Sequence, residues 1–213
     1  METILYRIFA DVLHGNHKDT VSDVRSALNQ GVLPLLILNQ GMIAAMQEVG
    51  RLFEAGEYYV PEMLVSARAM QAGMSVLKPY ISDQDAHPSG KVVLGTVSGD
   101  YHDIGKNLVK MMLEGSGFEV IDLGVDVNAK TFVSGVAMHQ ADILAMSALI
   151  NSTMPHMRPV IEALEESGIR ERVKVLVGGA PVSETFAHQI GADAYAPDAS
   201  RAASTAKSLL ALR

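Results

Sequence analysis

The hydrophobic period of this chain changes once, near residue 90, and each side of the change limits the fold in its own way. Before it, apolar residues recur at helical spacing. Ile4, Leu5, Ile8, Phe9, Val12 and Leu13 give a first helix. A second starts near Asp19 or Thr20, carries Val21, Val24, Ala27 and Leu28, and stops at Gly31. A third opens at Pro34 with a stripe of Leu35, Leu38, Met42, Met46, Val49 and Phe53, and ends at Gly56. A fourth runs from Pro61 toward Tyr80 with Leu64, Ala67, Met70, Met74 and Leu77. Four helices with short connections predict a bundle over residues 1–81. Met46, Met63, Met70 and Met74 read as its core. The polar stretch SDQDAHPSG, residues 82–90, has no period and reads as a linker.

After residue 90 apolar runs alternate with helical patterns. KVVLGTVS, FEVIDLG, DILAMSAL, KVLVGG and ADAYA read as strands. Helices are expected over 103–117, 128–140, 154–168, 183–190 and 198–212. Five such units predict a parallel sheet covered on both faces, and right-handed crossovers limit it to a doubly wound, flavodoxin-like order 2-1-3-4-5. The fold class is α + α/β, with an N-terminal four-helix bundle followed by a Rossmann-like five-stranded parallel sheet over 91–213.

In such a sheet ligands bind beyond the carboxyl ends of the strands, where strand order reverses. That point lies between strands 1 and 3. The flanking loops are SGDYHDIG after strand 1 and SALINSTM after strand 3, with VGGAPV after strand 4 beside them. They are rich in Gly, Ser, Thr and Asn, so topology and composition name the same place.

The unusual residue there is His102. Zinc would need three or four ligands. Asp100 and Asp103 on the same short loop make a weak set with one imidazole. A single axial His suits a metal already held by a macrocycle. Asp100 could then accept the other ring N–H and orient the ring. Gly99 and Gly105 would let the backbone pass close to a large flat ligand. Spacing alone leaves two alternatives: a solvated loop histidine, and a phosphate or nucleotide site. The loop lacks both the GxxxxGK[ST] and the GxGxxG pattern. A phosphoacceptor domain would want an aspartate on strand 3, where Met146 and Ser147 stand.

Composition excludes further classes. The chain has no Cys, so disulfides, thiolate catalysis and Cys-based metal sites are absent. A net charge of −7 without a basic block disfavours nucleic acid as a partner. The first residues, METILYRIFADVLHG, mix charges with apolar residues and read as neither a signal peptide nor a membrane span. A cytoplasmic protein with no membrane association is the expectation. His14 and His17 read as solvated, and His139, His156 and His188 receive no role.

Together the motifs resemble a known family. GDYHDIGKN carries the DxHxxG pattern of cobalamin-binding domains. MSALI, with Ser147 and Leu149, matches its SxL element, and VLVGGAPV, with Gly178 and Gly179, its GG element. VGRLFEAGEYYVPEMLVSARAM resembles the helical cap of methionine synthase and of small corrinoid proteins. The resemblance implies cobalamin as cofactor, bound with its benzimidazole displaced and its tail inserted in the protein. His102 would be the lower cobalt ligand, within a cofactor loop of Gly99, Asp100, His102, Asp103, Ile104 and Gly105. Asp100 would hydrogen-bond His102, and Thr153, where methionine synthases have Ser, would extend the relay. Ser147 and Leu149 would line the tail pocket, with Gly178 and Gly179 leaving room for it. Gly50 and Phe53 would belong to the cover over the upper face, as would Val60, where that family usually has Leu.

The implied role is a corrinoid methyl carrier. It would take a methyl group from a donor-specific methyltransferase and present it to an acceptor methyltransferase acting on a thiol or a tetrahydropterin. A reductive activator of the corrinoid would be a third partner. Linker 82–90 would be the hinge of the cap. The rivals are the cobalamin subunit of a mutase, in which the cap would obstruct the substrate barrel, and a cobalamin-dependent sensor, which would need an output domain. The methyl donor is not written in these motifs.

Overall fold

The computed structural model describes residues 2–81 and 89–211. Residues 82–88, most of the segment expected as a linker, lie outside the described residues. Backbone contacts divide the chain into two compact units, Met1–His87 with Gly115–Gly117, and Pro88–Glu114 with Phe118–Arg213.

The first unit is helical. It contains α1 (Glu2–Leu13), α2 (His17–Asn29), α3 (Pro34–Leu36), a π-helical segment Ile37–Ile43, α4 (Ala44–Glu54) and α5 (Val60–Leu77), with a 3₁₀ turn over Lys78–Tyr80. Ile4, Leu5, Ile8 and Val12 of α1 are buried, as are Val24 and Ala27 of α2. The run from Pro34 to Glu54 follows the expected third helix, but its middle turns are wider than α-helical. Met42, Met46, Met63 and Met70 are core residues. Met74 is only partly buried. Gly73 of α5 allows close packing, since a Cβ there would lie 2.7 Å from Met42 Cε and 3.0 Å from Thr20 Cγ2. The α1 terminus is secured by Ser66, whose buried hydroxyl donates to the Leu13 carbonyl at 2.8 Å. At the start of α5, Glu62 accepts the Tyr59 N–H at 2.9 Å, which caps a helix already favoured by Pro61 in its first turn.

The second unit is a five-stranded parallel sheet in the order β2-β1-β3-β4-β5. The strands are β1 (Lys91–Thr96), β2 (Glu119–Asp122), β3 (Ile143–Ser147), β4 (Lys174–Gly178) and β5 (Ala194–Ala196). They alternate with α6 (Ile104–Gly115), α7 (Ala129–His139), α8 (Met157–Glu166), α9 (Glu184–Gln189) and α10 (Ala199–Ala211). Each strand is shorter than its apolar run: in β1 to β4 the last residues of the run form the loop beyond the strand, whereas in β5 it is the first two, Ala192 and Asp193, that lie outside. The central strands are apolar on both sides, as a sheet covered by helices requires. Val93, Leu144, Val175 and Val177 pack with Phe132 of α7 and with Met157, Val160 and Ile161 of α8. Asn128 and Ser183 cap α7 and α9 through their side-chain oxygens. Loops at the strand ends are tied in place by carboxylates. Asp142 accepts the Lys91 N–H at 2.9 Å, and Asp193 accepts the Val175 N–H at 2.7 Å.

Candidate functional site

The site is built on the loops that leave β1 and β3, which are neighbours in register from Val92↔Ile143 to Thr96↔Ser147. At the end of β1 the chain turns through Gly99, whose φ of 77° lies in the left-handed region that glycine adopts without strain. That turn sends Asp100 inward, where it is fully buried, and leaves His102 about half exposed. Asp100 Oδ1 accepts the His102 N–H at 3.1 Å and sits 2.7 Å from His102 Nδ1. Asp100 Oδ2 accepts the Leu149 N–H at 2.8 Å and the Thr153 hydroxyl at 2.6 Å. One carboxylate therefore joins the two loops and orients the imidazole.

Burial pushes the Asp100 carboxyl up, but these four hydrogen bonds, led by that of Thr153, outweigh it and hold the group well below the usual carboxylate range. The acceptor is thus an anion, and Nδ1 is the ring nitrogen that carries the proton. Nε2 has no protein partner among the described residues and remains available as a ligand atom. The Thr96 hydroxyl, also buried, donates to the His102 carbonyl at 3.0 Å and fixes the backbone beneath the ring.

Other residues named from sequence fall on the same rim. Ile104 opens α6 and Asp103 stands just before it, accepting from the Asn107 side chain at 3.1 Å. Gly105 faces open space, with nothing within 4 Å of where a Cβ would stand. Ser147 ends β3, half-buried, opposite Thr96 on one side and Gly178 on the other. Leu149 is exposed, together with Tyr101, Ile104 and Ile150 from these two loops. Exposed apolar side chains on loops that also present a fixed imidazole suit a broad, largely apolar ligand. Among the described residues no group of three or more His, Asp or Glu side chains could hold a metal ion. The donor set therefore fits a metal whose other positions are filled by its own macrocycle, and not a bare ion.

Gly178 and Gly179 have a structural reason of their own. A Cβ at Gly178 would lie 2.8 Å from the Ala196 carbonyl oxygen, and one at Gly179 would collide with the Ala148 carbonyl. Gly179 also has φ of 125°. The space a side chain would take at these positions is filled by neighbouring backbone. Phe53 lies in the last turn of α4, part buried, and Val60 opens α5 with 39% exposure; both belong to the first unit.

Several contributors are not signalled by the sequence motifs. His156, given no role from sequence, places Nδ1 2.6 Å from the Ser98 carbonyl. Asp126, on the loop after β2, accepts from the Gly99 N–H at 2.7 Å and from the Tyr101 hydroxyl at 2.9 Å. These bonds, the Gly99 N–H foremost, hold its carboxyl below the usual range. The same contact raises the Tyr101 phenol. Lys106 of α6 is buried and meets Asp122 of β2 at 2.7 Å. Burial pushes the Asp122 carboxyl up, and the Lys106 hydrogen bond prevails to keep it low.

A buried carboxylate thus fixes a half-exposed imidazole at the switch point of a doubly wound sheet, and known families match both halves of the chain. A B12 binding domain family matches residues 90–204, and a second B12 binding domain family matches residues 4–78. The chain is 48% identical over 179 residues to dimethylamine corrinoid protein 1 of Methanosarcina acetivorans, covering 84% of each. It is 41% identical to trimethylamine corrinoid protein 1 of the same organism, over 91% of this chain and 94% of that one. Among solved structures it resembles the methanol:cobalamin methyltransferase complex MtaBC of Methanosarcina barkeri, with TM-score 0.88, 30% identity, and 98% of this chain and 80% of that one covered. A cobalamin-binding protein of Desulfitobacterium hafniense matches at TM-score 0.81 and 30% identity, over 96% and 98%. The chain belongs to the B12-binding corrinoid proteins of methylamine methyltransferase systems, and its cofactor is a corrinoid. No helix among the described residues is long and apolar enough to cross a membrane.

Proposed function

We propose that this protein is a cytoplasmic methyl carrier that holds cobalamin with the benzimidazole displaced and His102 Nε2 as the lower cobalt ligand. The observation that carries the proposal is the buried Asp100 carboxylate. It fixes the Nδ1 proton of a half-exposed imidazole at 2.7 Å and leaves the other nitrogen free of protein partners among the described residues. When bound, a corrinoid supplies a cobalt centre that can accept a methyl group and give it up again. The protein's own residues bind and orient it. Thr153 keeps Asp100 ionised and in place. Thr96 keeps the His102 backbone from moving. Ser147 and Leu149, with the backbone at Gly178 and Gly179, are assigned to the cofactor's nucleotide tail, and Gly99, Asp103, Ile104 and Gly105 to the face around the ligand.

Residues 1–81 are assigned as the helical cap and 91–213 as the cobalamin-binding domain, with 82–90 between them. Phe53 and Val60 are assigned to the cap surface that shields the methyl-bearing face. The names of the relatives support methylamines, dimethylamine first, as the methyl source. The partners are then a donor-specific methyltransferase, an acceptor methyltransferase for a thiol or tetrahydropterin, and a reductive activator.

The test is reconstitution with cobalamin, removal of free cofactor and reduction to Co(II), followed by EPR with and without 15N-histidine. A nitrogen splitting that changes with the label and disappears in His102→Ala is expected. Retained cobalamin with no effect of the label would remove His102 from the ligand role. Loss of all cobalamin on washing would leave only the family relationship.

A further inference from the structure

Asp126 makes more contacts with the ligand loop than a loop carboxylate needs for its own sake. Its Oδ1 accepts the Gly99 N–H at 2.7 Å and the Ser98 hydroxyl at 3.4 Å. Its Oδ2 accepts the Tyr101 hydroxyl at 2.9 Å. Its own N–H donates to the Asp100 carbonyl at 3.0 Å. One residue thus meets all four residues from Ser98 to Tyr101. Around it the two loops run side by side, with a parallel bridge between Val97 and Val127 and bonds from Thr96 N to Gly124 O and from Val127 N to Thr96 O.

The backbone at Asp126 is unusual as well. Its φ of 54° is one of two left-handed conformations at a non-glycine among the described residues. The other, Gln140, ends α7, where a left-handed residue is a common helix terminator. Asp126 ends no helix. Asp is one of the few residues that adopt this region readily, and here the conformation goes with a side chain that accepts from Gly99 and Tyr101 together.

The carboxylate is on the solvent side, so its bonds add little to the core. Their effect falls on the loop, which is already held on its opposite side by His156 Nδ1 at the Ser98 carbonyl, 2.6 Å away. We propose that Asp126 is a positioning residue, holding segment 98–101 from the β2 side so that Asp100 presents the His102 ring in a fixed orientation toward a corrinoid. The proposal rests on the ligand role of His102 given above.

The test uses the full chain reconstituted with cobalamin, with two variants. Asp126→Gly keeps the left-handed backbone without strain and removes the carboxylate. Asp126→Asn tolerates the same backbone and keeps one acceptor oxygen. Three readouts are compared with the native chain: the dissociation constant for cobalamin, the His-dependent nitrogen splitting of the Co(II) EPR signal, and the thermal midpoint without cofactor. Outer partners of metal-ligating histidines change affinity by about tenfold or more, and Asp126→Gly should weaken cobalamin binding by about that factor. It should also convert a large part of the EPR signal to a form without histidine nitrogen, at a near-native midpoint. Asp126→Asn should lie between Gly and native in both respects, a partial rescue that a merely structural role would not give. Native affinity with a full histidine signal in Asp126→Gly would overturn the proposal while leaving the function intact. Should Asp126→Gly lack a cooperative melt, native affinity and signal in Asp126→Asn would overturn it equally. A native protein with no histidine splitting would overturn the proposed function, and this role with it.

Discussion

Thr153 illustrates how much one hydroxyl can hold. It is buried and donates to a buried, ionised carboxylate at 2.6 Å. Hydrogen bonds to charged groups contribute about 1.5–3 kcal/mol, and losing one here leaves Asp100 short of a donor. Thr153→Val should lower the cofactor-free unfolding free energy by about 2 kcal/mol in urea titration and weaken cobalamin binding, while Thr153→Ser should restore both. Gly179 makes the opposite kind of demand. Its φ of 125° and its contact with the Ala148 carbonyl leave no place for a methyl group. Gly179→Ala should destabilise the apoprotein by about 3 kcal/mol, read by the same titration before any cofactor is added. If the apoprotein were unchanged and only cobalamin binding were lost, the glycine would serve the ligand instead of the fold. At this scale Asp100 and His102 were legible because they stand two apart in one motif. Asp126 and His156 were not, because their partners lie 27 and 58 residues away and depend on how two loops are laid side by side.

Between elements, the pair Lys106 and Asp122 ties α6 to β2 inside the second unit. Lys106 is 3% exposed and Asp122 receives it at both oxygens, at 2.8 and 2.7 Å. Removing one member of a buried pair leaves the other charge uncompensated, which costs about 3 kcal/mol or more. Asp122→Leu, which strips buried Lys106 of its carboxylate, should show a loss of that order. Lys106→Met should show a smaller one, because Asp122 keeps Lys110 at 3.5 Å and the Gly124 N–H at 2.9 Å. Lys106→Met with Asp122→Leu should recover part of the Asp122→Leu loss. Acid gives a second test. The folded-state pKa of Asp122 is depressed, so its contribution is fully present above the ordinary carboxyl value of about 4 and is lost as pH falls through the folded value. Urea midpoints measured from pH 6 to pH 3 should fall, and Asp122→Asn should flatten that fall; an unchanged slope would exclude this pair as a source of acid lability. Element identity was legible throughout, since both hydrophobic periods were strong. Boundaries were not. The second helix starts at His17, ahead of Asp19, and the expected third helix contains a π-helical segment over Ile37–Ile43. Apolar spacing marks which face is buried and does not report whether a turn closes at four residues or at five.

For the whole molecule, binding and stability should be linked. A ligand that binds only the folded state at a hundred times its dissociation constant adds about 2.7 kcal/mol. Excess cobalamin should therefore raise the thermal midpoint of the native chain by several degrees, and by less in His102→Ala. The strand order 2-1-3-4-5 was legible because alternation and right-handed crossovers leave few other arrangements. What the order does not express is that a strand with neighbours on both sides has its loop braced on both sides, from β2 through Asp126 and from β3 through Leu149 and Thr153. The bracing on the β3 side has a consequence for proton traffic. A carboxylate offers about four acceptor positions. At Asp100 two protein donors occupy each oxygen. No lone pair is left for a water, so no bound water can carry a proton to Asp100. The ring nitrogen open to its surroundings is Nε2, and whatever covers that face meets an imidazole whose other nitrogen is already committed to Asp100.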